Sequence, residues 1–259
     1  MTLKEYLTNP LGKGDSSLPG WKMIVQNMNA KYMAWEKKKG DQIKVTTYYD
    51  NRSGDVYFHL VLPTETERDN TYDVVIRFLD IENKHKHDMG ISDYDVQLFA
   101  NTPSFVYTHA YVYHEYGIGI DFLDPKLGKP ATREAPTVRN KFEIIGYDKY
   151  IYFAAKWLYD GRKLGKLSVQ RNSVRFNQKK LYASVRTIKT IMEEYHAAEA
   201  KLKREKNYQK DQAKRAAERP KKLSLDSGTP IGIGKRVVKK TGVDNRVKPK
   251  RAVKPVKKR

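Results

Sequence analysis

The sequence predicts an α+β fold in which a mostly antiparallel β-sheet is covered by helices, and three observations support this prediction. The first is the dense alternation of aromatic and β-branched residues in 94–123, which is typical of strands. The second is a set of segments whose apolar residues recur every three or four positions, as they do on amphipathic helices. The third is the C-terminal part of the chain, where helix-favouring residues continue past the last apolar stripe and then give way to a strongly basic stretch of low hydrophobicity, which predicts a long C-terminal helix followed by a disordered basic tail.

Six strands are predicted between residues 42 and 123, and turn-forming residues such as those of 50–54 separate them. In the fifth strand the odd-numbered residues fall on one face and the even-numbered residues on the other. We therefore predict that this strand is central and that Val112 is buried. The six strands are Gln42–Tyr49, Asp55–Leu62, Tyr72–Asp80, Tyr94–Ala100, Phe105–His114 and Ile118–Leu123.

Helices are predicted near residues 20–38, 147–162 and 173–205, with one further helical turn at Thr2–Thr8. The apolar stripe of the last helix disappears after Leu202, although helix-favouring residues continue as far as Pro220. The last turns are therefore expected to project from the domain. The predicted organisation is an N-terminal loop and helix packing on the core (1–41), an α+β core domain (42–172), a long projecting helix (173–219) and the basic tail (220–259).

Charge is distributed unevenly along the 259 residues, whose formal net charge is +21. Residues 196–259 contain 22 basic and 6 acidic residues, a net +16, which leaves +5 for residues 1–195. A basic tail attracts polyphosphate. Each phosphate that the tail neutralises releases condensed counterions, whatever the base sequence. We predict that the tail contacts DNA or RNA, and the residues predicted to meet phosphates are Lys235, Arg236, Lys239, Lys240, Lys248, Lys250, Arg251, Lys254, Lys257, Lys258 and Arg259. A purely solubilising tail, or one that docks on an acidic protein surface, is the alternative.

The composition and the motifs predict neither a cofactor nor a metal. The chain has no cysteine, and no apolar run approaches the length of a membrane span, so a soluble protein is expected. The loop Gly12-Lys13-Gly14 lacks the spacing of a Walker phosphate loop. His85 and His87 have a spacing that suits a metal, but the lysines around them disfavour a cation.

Catalysis by acid and base is not predicted, because it needs converging carboxylates or a histidine with an orienting partner. The acidic pairs Asp121 with Asp124 and Glu65 with Glu67 have spacings that turns and strand ends produce routinely. We therefore expect that the protein is not an enzyme. The irregular stretch Asp124–Asn140 is interpreted either as a contact surface or as extended packing across the sheet.

Four segments of the chain resemble a group of poorly characterised proteins from tailed bacteriophages of Gram-positive hosts. The segments are NPLGKG (9–14), NTYDVVIRFLD (70–80), FANTPSFVYTHAYVYHEYGI (99–118) and APTVRNKFEIIGYDKYIYFAAKWL (135–158). The resemblance implies a viral setting, among virion or DNA-associated proteins, and it brings no catalytic residues with it. The basic tail lies outside the resembling region, so the nucleic-acid prediction depends on charge alone.

The expected function is that of a virion structural or minor capsid protein that docks on other virion subunits, while its tail contacts nucleic acid without sequence specificity. Its expected location is the virion, and the host cytoplasm during infection; the sequence leaves homo-oligomerisation open. The alternative is a non-virion protein that binds single-stranded or double-stranded nucleic acid in the infected cell. Exposed aromatic residues beside cations on a sheet face would favour that alternative, with Tyr107, Tyr111 and Tyr113 as candidates.

Overall fold

The core of the fold is a five-stranded sheet. The computed structural model describes residues 1–9, 20–65, 70–81, 90–128, 131–135, 140, 143–160 and 173–223, with side chains described as far as Ala217. The strands are β1 (Lys44–Asp50), β2 (Asp55–Pro63), β3 (Thr71–Phe78), β4 (Val96–Ala100) and β5 (Val174–Arg175). Their order in the sheet is β4-β3-β2-β1-β5, and every neighbouring pair is antiparallel except β1 with β5.

The positions of these strands follow from their residues. β2 and β3 lie at the centre of the sheet, and most of their side chains are buried because both faces are covered. β1 lies nearer the edge, and its first four side chains alternate between exposed and half-buried. The predicted strands Gln42–Tyr49, Asp55–Leu62, Tyr72–Asp80 and Tyr94–Ala100 are thus confirmed as β1 to β4, with shifts of one or two residues at their ends.

Helices cover the sheet. α4 packs on β2, β3 and β4, and it is in turn covered by α1 and α2. Trp35 of α2 packs against Phe153 of α4 with ring centroids 4.9 Å apart, and its indole Nε1 donates a hydrogen bond to the carbonyl of Pro63 at 3.0 Å. The helices are α1 (Leu3–Thr8), α2 (Trp21–Lys39), α3 (Ala110–Glu115), α4 (Lys149–Tyr159), α5 (Gln178–Ser184) and α6 (Ile188–Leu223). The predicted fold class, a mostly antiparallel sheet covered by helices with a long C-terminal helix, is confirmed.

The prediction that Phe105–His114 is a strand was wrong. Phe105–His109 form a π-helical turn that continues directly into α3. Thr102 explains the helical start, because its hydroxyl accepts a hydrogen bond from the backbone N–H of Phe105 at 2.9 Å and so caps the first turn. Val112 is fully buried, as predicted, but it is buried on a helix.

The prediction of a sixth strand at Ile118–Leu123 was also wrong. Gly119 forms a single parallel bridge with Leu98, and a 3₁₀ helix follows at Asp121–Leu127. The chain reverses at Gly117, whose φ of 65° lies in the left-handed region that glycine adopts without strain. The Ile118 carbonyl then accepts a 2.7 Å hydrogen bond from the Leu98 N–H, so this segment stays attached to the edge of the sheet.

The other predicted helices are confirmed with changes. The N-terminal turn and the helix near 20–38 correspond to α1 and α2, and the helix near 147–162 corresponds to α4, which Asp148 caps by accepting from two backbone N–H groups. The single helix predicted at 173–205 is instead β5 followed by α5 and α6. The chain divides into the compact units Met1–Tyr208 and Gln209–Arg259.

Candidate nucleic-acid interface

The tail residues predicted to meet phosphates, from Lys235 to Arg259, lie outside the described residues. The described part of the basic C-terminal quarter is α6. Its last buried side chain is Ile191, and the side chains from Lys203 to Ala217 are all exposed, as the loss of the apolar stripe predicted. This stretch of α6 therefore presents its charges to solvent.

Positive charge is in excess on this exposed stretch in each of the two units. In the first unit, residues 201–208 contain four cations and one acid. In the second unit, residues 209–217 contain three cations and one acid. The cations are Lys201, Lys203, Arg204, Lys206, Lys210, Lys214 and Arg215. Phosphate contacts were predicted only for residues beyond 234, so these helical cations were not among the predicted residues, although their excess over acids is visible in the sequence.

A second basic surface lies in the first unit, where a groove of about 800 Å³ opens beside β1 and β5. Three cations line it: Arg52 from the β1–β2 turn, Arg175 from β5 and Lys179 from the first turn of α5. Asp50 is the single acid among the described lining residues, so the lining carries a formal charge of +2. The groove thus favours an anionic ligand.

Backbone hydrogen bonds fix the elements that carry these cations. The N–H of Phe176 donates to the carbonyl of Tyr49 at 2.7 Å and continues the pairing of β5 with β1. The N–H of Arg52 donates to the carboxylate of Asp50 at 3.0 Å and holds the β1–β2 turn. Asn177 caps α5 with its side-chain oxygen. The walls of the groove are therefore preformed.

Aromatic rings lie among the cations. Tyr49, Phe176 and Tyr182 line the groove and are half-buried. The ring of Phe176 stacks on that of Tyr57, with centroids 4.3 Å apart and an interplanar angle of 7°. The ammonium of Lys126 lies 4.0 Å from the centroid of the Tyr182 ring, which is a cation–π contact. Packing from within the domain thus orders two of the three rings.

The predicted tyrosine face does not exist, because its residues lie on a helical segment. Tyr113 is fully buried, and burial raises the pKa of its hydroxyl well above the usual range. Tyr111 is half-buried, whereas Tyr107 is 60% exposed. The three rings do not form a stacking surface on the sheet. Aromatic residues do lie beside cations in the groove.

A buried polar network around Asp73 was not predicted from the sequence. His59 Nε2 lies 3.1 Å from one oxygen of Asp73, and Ser184 Oγ lies 3.3 Å from His59 Nδ1. The other oxygen of Asp73 accepts from the Asn101 amide at 2.7 Å and from the Arg186 guanidinium at 2.9 Å. Burial alone raises the pKa of Asp73, but the hydrogen bonds from His59 and Arg186 outweigh it and hold the pKa below its ordinary value.

The order serine, histidine, aspartate is that of a catalytic triad, but the contacts favour a structural role. The Ser184 hydroxyl has one hydrogen, and its shorter contact, 2.8 Å, is to the carbonyl of Leu181, which can only accept. Arg186 also donates its backbone N–H to Asp73 at 3.2 Å. The network therefore attaches the connection between α5 and α6 to β2 and β3.

The strand register brings His59 and Asp73 together. His59 of β2 lies opposite Val75 of β3, and Asp73 is two residues away on the same face, so the two side chains are diagonal neighbours. The feature of the sequence that could have indicated this network is the presence of His59 and Asp73 within largely apolar strands. It could not be interpreted without the register.

Three of the four acidic residues considered for catalysis are described, and each lies beside a basic side chain. Asp121 and Asp124 lie beside His114, whose Nδ1 is 3.6 Å and 3.1 Å from their respective carboxylates. Burial raises the pKa of Asp124 to about 6. The three ligand atoms are close enough to hold a cation, but the cluster is largely exposed, and exposed acidic groups commonly cluster without an ion. Glu65 pairs with Lys149 at 2.9 Å, whereas Glu67 lies outside the described residues.

Two motifs that the sequence analysis considered and disfavoured as sites, the Gly12-Lys13-Gly14 loop and the His85 and His87 pair, also lie outside the described residues. Among the helices that the structure describes, none combines the length and the apolar character needed to span a membrane. Comparison with known proteins found no matching family model, no matching curated protein and no matching solved structure.

Proposed function

We propose that this protein is a non-enzymatic component of a tailed-phage particle that binds nucleic acid without sequence specificity through its basic C-terminal quarter. One observation carries the proposal: residues 196–259 hold a net charge of +16, against +5 for the rest of the chain. A polyanion such as packaged DNA is the ligand that this charge favours most strongly, because each neutralised phosphate releases a condensed counterion.

The ion pairs of the core support this division of roles. Arg77 pairs with Asp55, Arg186 with Asp73 and Lys149 with Glu65, so these basic residues have internal partners. In residues 196–259, by contrast, only 6 acidic residues accompany 22 basic residues. Most cations of that segment therefore lack an acidic partner of their own segment, and they remain available for phosphate.

In this proposal the first unit docks on other virion subunits, or on further copies of the same chain, and the basic segment 196–259, which begins within α6, meets the nucleic acid. A second candidate is a non-virion nucleic-acid-binding protein of the infected cell. The observation that favours it is the groove, where aromatic rings lie beside cations and bases can stack. Both candidate functions include binding to nucleic acid. They differ in where the protein acts, in the phage particle or in the infected cell.

The tail substitutions give the first prediction. Replacing Lys235, Lys239, Lys248, Lys254 and Lys258 by Gln in the full-length protein should weaken binding to duplex DNA by about tenfold or more at low salt. The slope of log affinity against log salt should also become less steep, by about 0.9 for each phosphate that the protein no longer neutralises. Fluorescence anisotropy at several salt concentrations measures both quantities on duplexes of unrelated sequence.

A protein that ends at Arg219 serves as a second variant, because no side chain described as buried lies beyond Ile191. Its circular dichroism and melting temperature should match those of the full chain, while its affinity should be lower than that of the substituted protein. If the full-length, substituted and shortened proteins bind with equal affinity and equal salt slope, the tail does not contact the nucleic acid. A strong preference for one duplex sequence would contradict non-specific binding.

A further inference from the structure

We propose that the groove between the β1–β2 turn and α5 is a binding site for single-stranded nucleic acid. This inference rests on the proposed function and adds to it a folded site that accepts unpaired bases. The tail supplies attraction to any phosphate backbone, whereas the groove supplies a preference for one form of nucleic acid.

The size of the groove suits a short piece of single strand. Its volume of about 800 Å³ lies within the range of small-ligand sites in proteins. An unpaired nucleotide can place its base inside such a groove, since both faces of the base are free to stack. A paired base in a duplex is stacked between its neighbours and exposes only its edges, so it cannot enter without being flipped out.

The cations are arranged for a phosphate backbone. Arg52, Arg175 and Lys179 come from three different elements around one opening, and all three side chains are exposed. The carboxylate of Asp50 lies near them, but it already accepts the backbone N–H of Arg52 at 3.0 Å. The balance of charge in the lining is therefore positive, which is complementary to phosphates.

The aromatic residues are arranged for bases. Phe176 is held by its stack on Tyr57, and Tyr182 by the ammonium of Lys126, so little side-chain freedom is lost when a base packs against either ring. Exposed cations beside partly exposed aromatic rings are the combination with which proteins hold single strands without reading their sequence. A site for inorganic phosphate alone would not need the rings.

The test uses full-length protein with Arg175 and Lys179 both replaced by Gln, and a separate variant with Tyr182 replaced by Leu. A labelled thymidine oligomer of about 12 nucleotides is the single-stranded probe, and a duplex of the same length is the second probe. The matched control replaces two other cations by Gln in the same way. These are Lys37 and Lys38, two exposed lysines of α2 that do not line the groove. Melting temperatures establish that each variant is folded.

The Tyr182→Leu variant should bind the oligomer at least about fivefold more weakly, because stacking on one aromatic ring contributes that much per base. Its affinity for the duplex should not change. The Arg175 and Lys179 variant should lose more affinity for the oligomer than for the duplex, whereas the Lys37 and Lys38 control should lose the same small factor for both. This pattern would support the groove as a single-strand site.

Parallel losses on both probes, equal to those of the control, would overturn the groove proposal and leave the tail proposal intact. Failure of the unmodified protein to bind either probe at low salt would overturn the proposed function as well. Adenosine monophosphate, added as a competitor, distinguishes a strand from a free nucleotide. If the single nucleotide competes with the labelled oligomer for the unmodified protein as effectively, per nucleotide, as an unlabelled oligomer does, the groove is a nucleotide site and the single-strand proposal is wrong.

Discussion

Replacing Asp73 by Asn is expected to lower the free energy of unfolding by about 3 kcal/mol, because it removes the buried carboxylate that pairs with the half-buried guanidinium of Arg186 and leaves the pairing to the more exposed Glu194. The substitution also weakens the hydrogen bond to His59 and so loosens the connection between α5 and α6. Urea denaturation followed by circular dichroism measures the change. The matched control is Asp160→Asn, which removes an i,i+4 pair with Lys156 at the surface of α4 and should cost about 0.5 kcal/mol or less.

The same variant has a distinct dependence on pH. The pKa of Asp73 is lower in the folded protein than the ordinary value of 3.8, so the charged carboxylate stabilises the fold above that pH and this contribution is lost as the pH falls. The difference in stability between the unmodified protein and Asp73→Asn should therefore shrink as the pH decreases below about 4. A difference that is independent of pH, or effects of equal size for Asp73 and Asp160, would contradict the role assigned to the network.

Replacing Val112 by Asp is expected to have the second large effect. It should lower the free energy of unfolding by about 3 to 5 kcal/mol. Val112 is 0% exposed, so the new carboxylate has neither water nor a partner. The matched control is Tyr107→Asp in the preceding helical turn, where the side chain is 60% exposed and the effect should be small. An unchanged melting temperature for Val112→Asp would mean that this face of α3 does not lie in the core.

The first four strands could be predicted because the pattern of their apolar residues and the turn residues between them fit a strand and no other element. The segment Phe105–His114 allowed two. Its odd-numbered aromatic residues alternate as in a strand, but Phe105, His109 and Tyr113, which are all buried, are also four residues apart as on a helix. The sequence Thr102-Pro103, interpreted as a strand break, is an N-terminal helix signal as well. Tertiary burial decides between the two patterns, and a single sequence does not contain it.

The part of the candidate interface that depends on charge composition could be predicted from the sequence. The part that depends on the pairing of strands could not. The charge excess of 196–259 is visible in the sequence alone. The groove brings Arg52 together with Arg175 and Lys179. Arg52 is so far from these two residues in the chain that no local sequence pattern connects them. The parallel pairing of the two-residue strand β5 with β1 is what places them side by side, and so short a strand has no periodicity to detect.

The central claim, that this is a virion protein whose basic segment contacts nucleic acid, is tested most directly by ultraviolet crosslinking of purified phage particles followed by mass spectrometry. We expect the protein to be recovered from the particles and the nucleotide-crosslinked peptides to come from residues 196–259. Absence of the protein from the particles, together with its abundance in infected cells, would contradict the virion assignment. Recovery of the protein from particles with no crosslinked peptide from that segment would contradict the assigned contact.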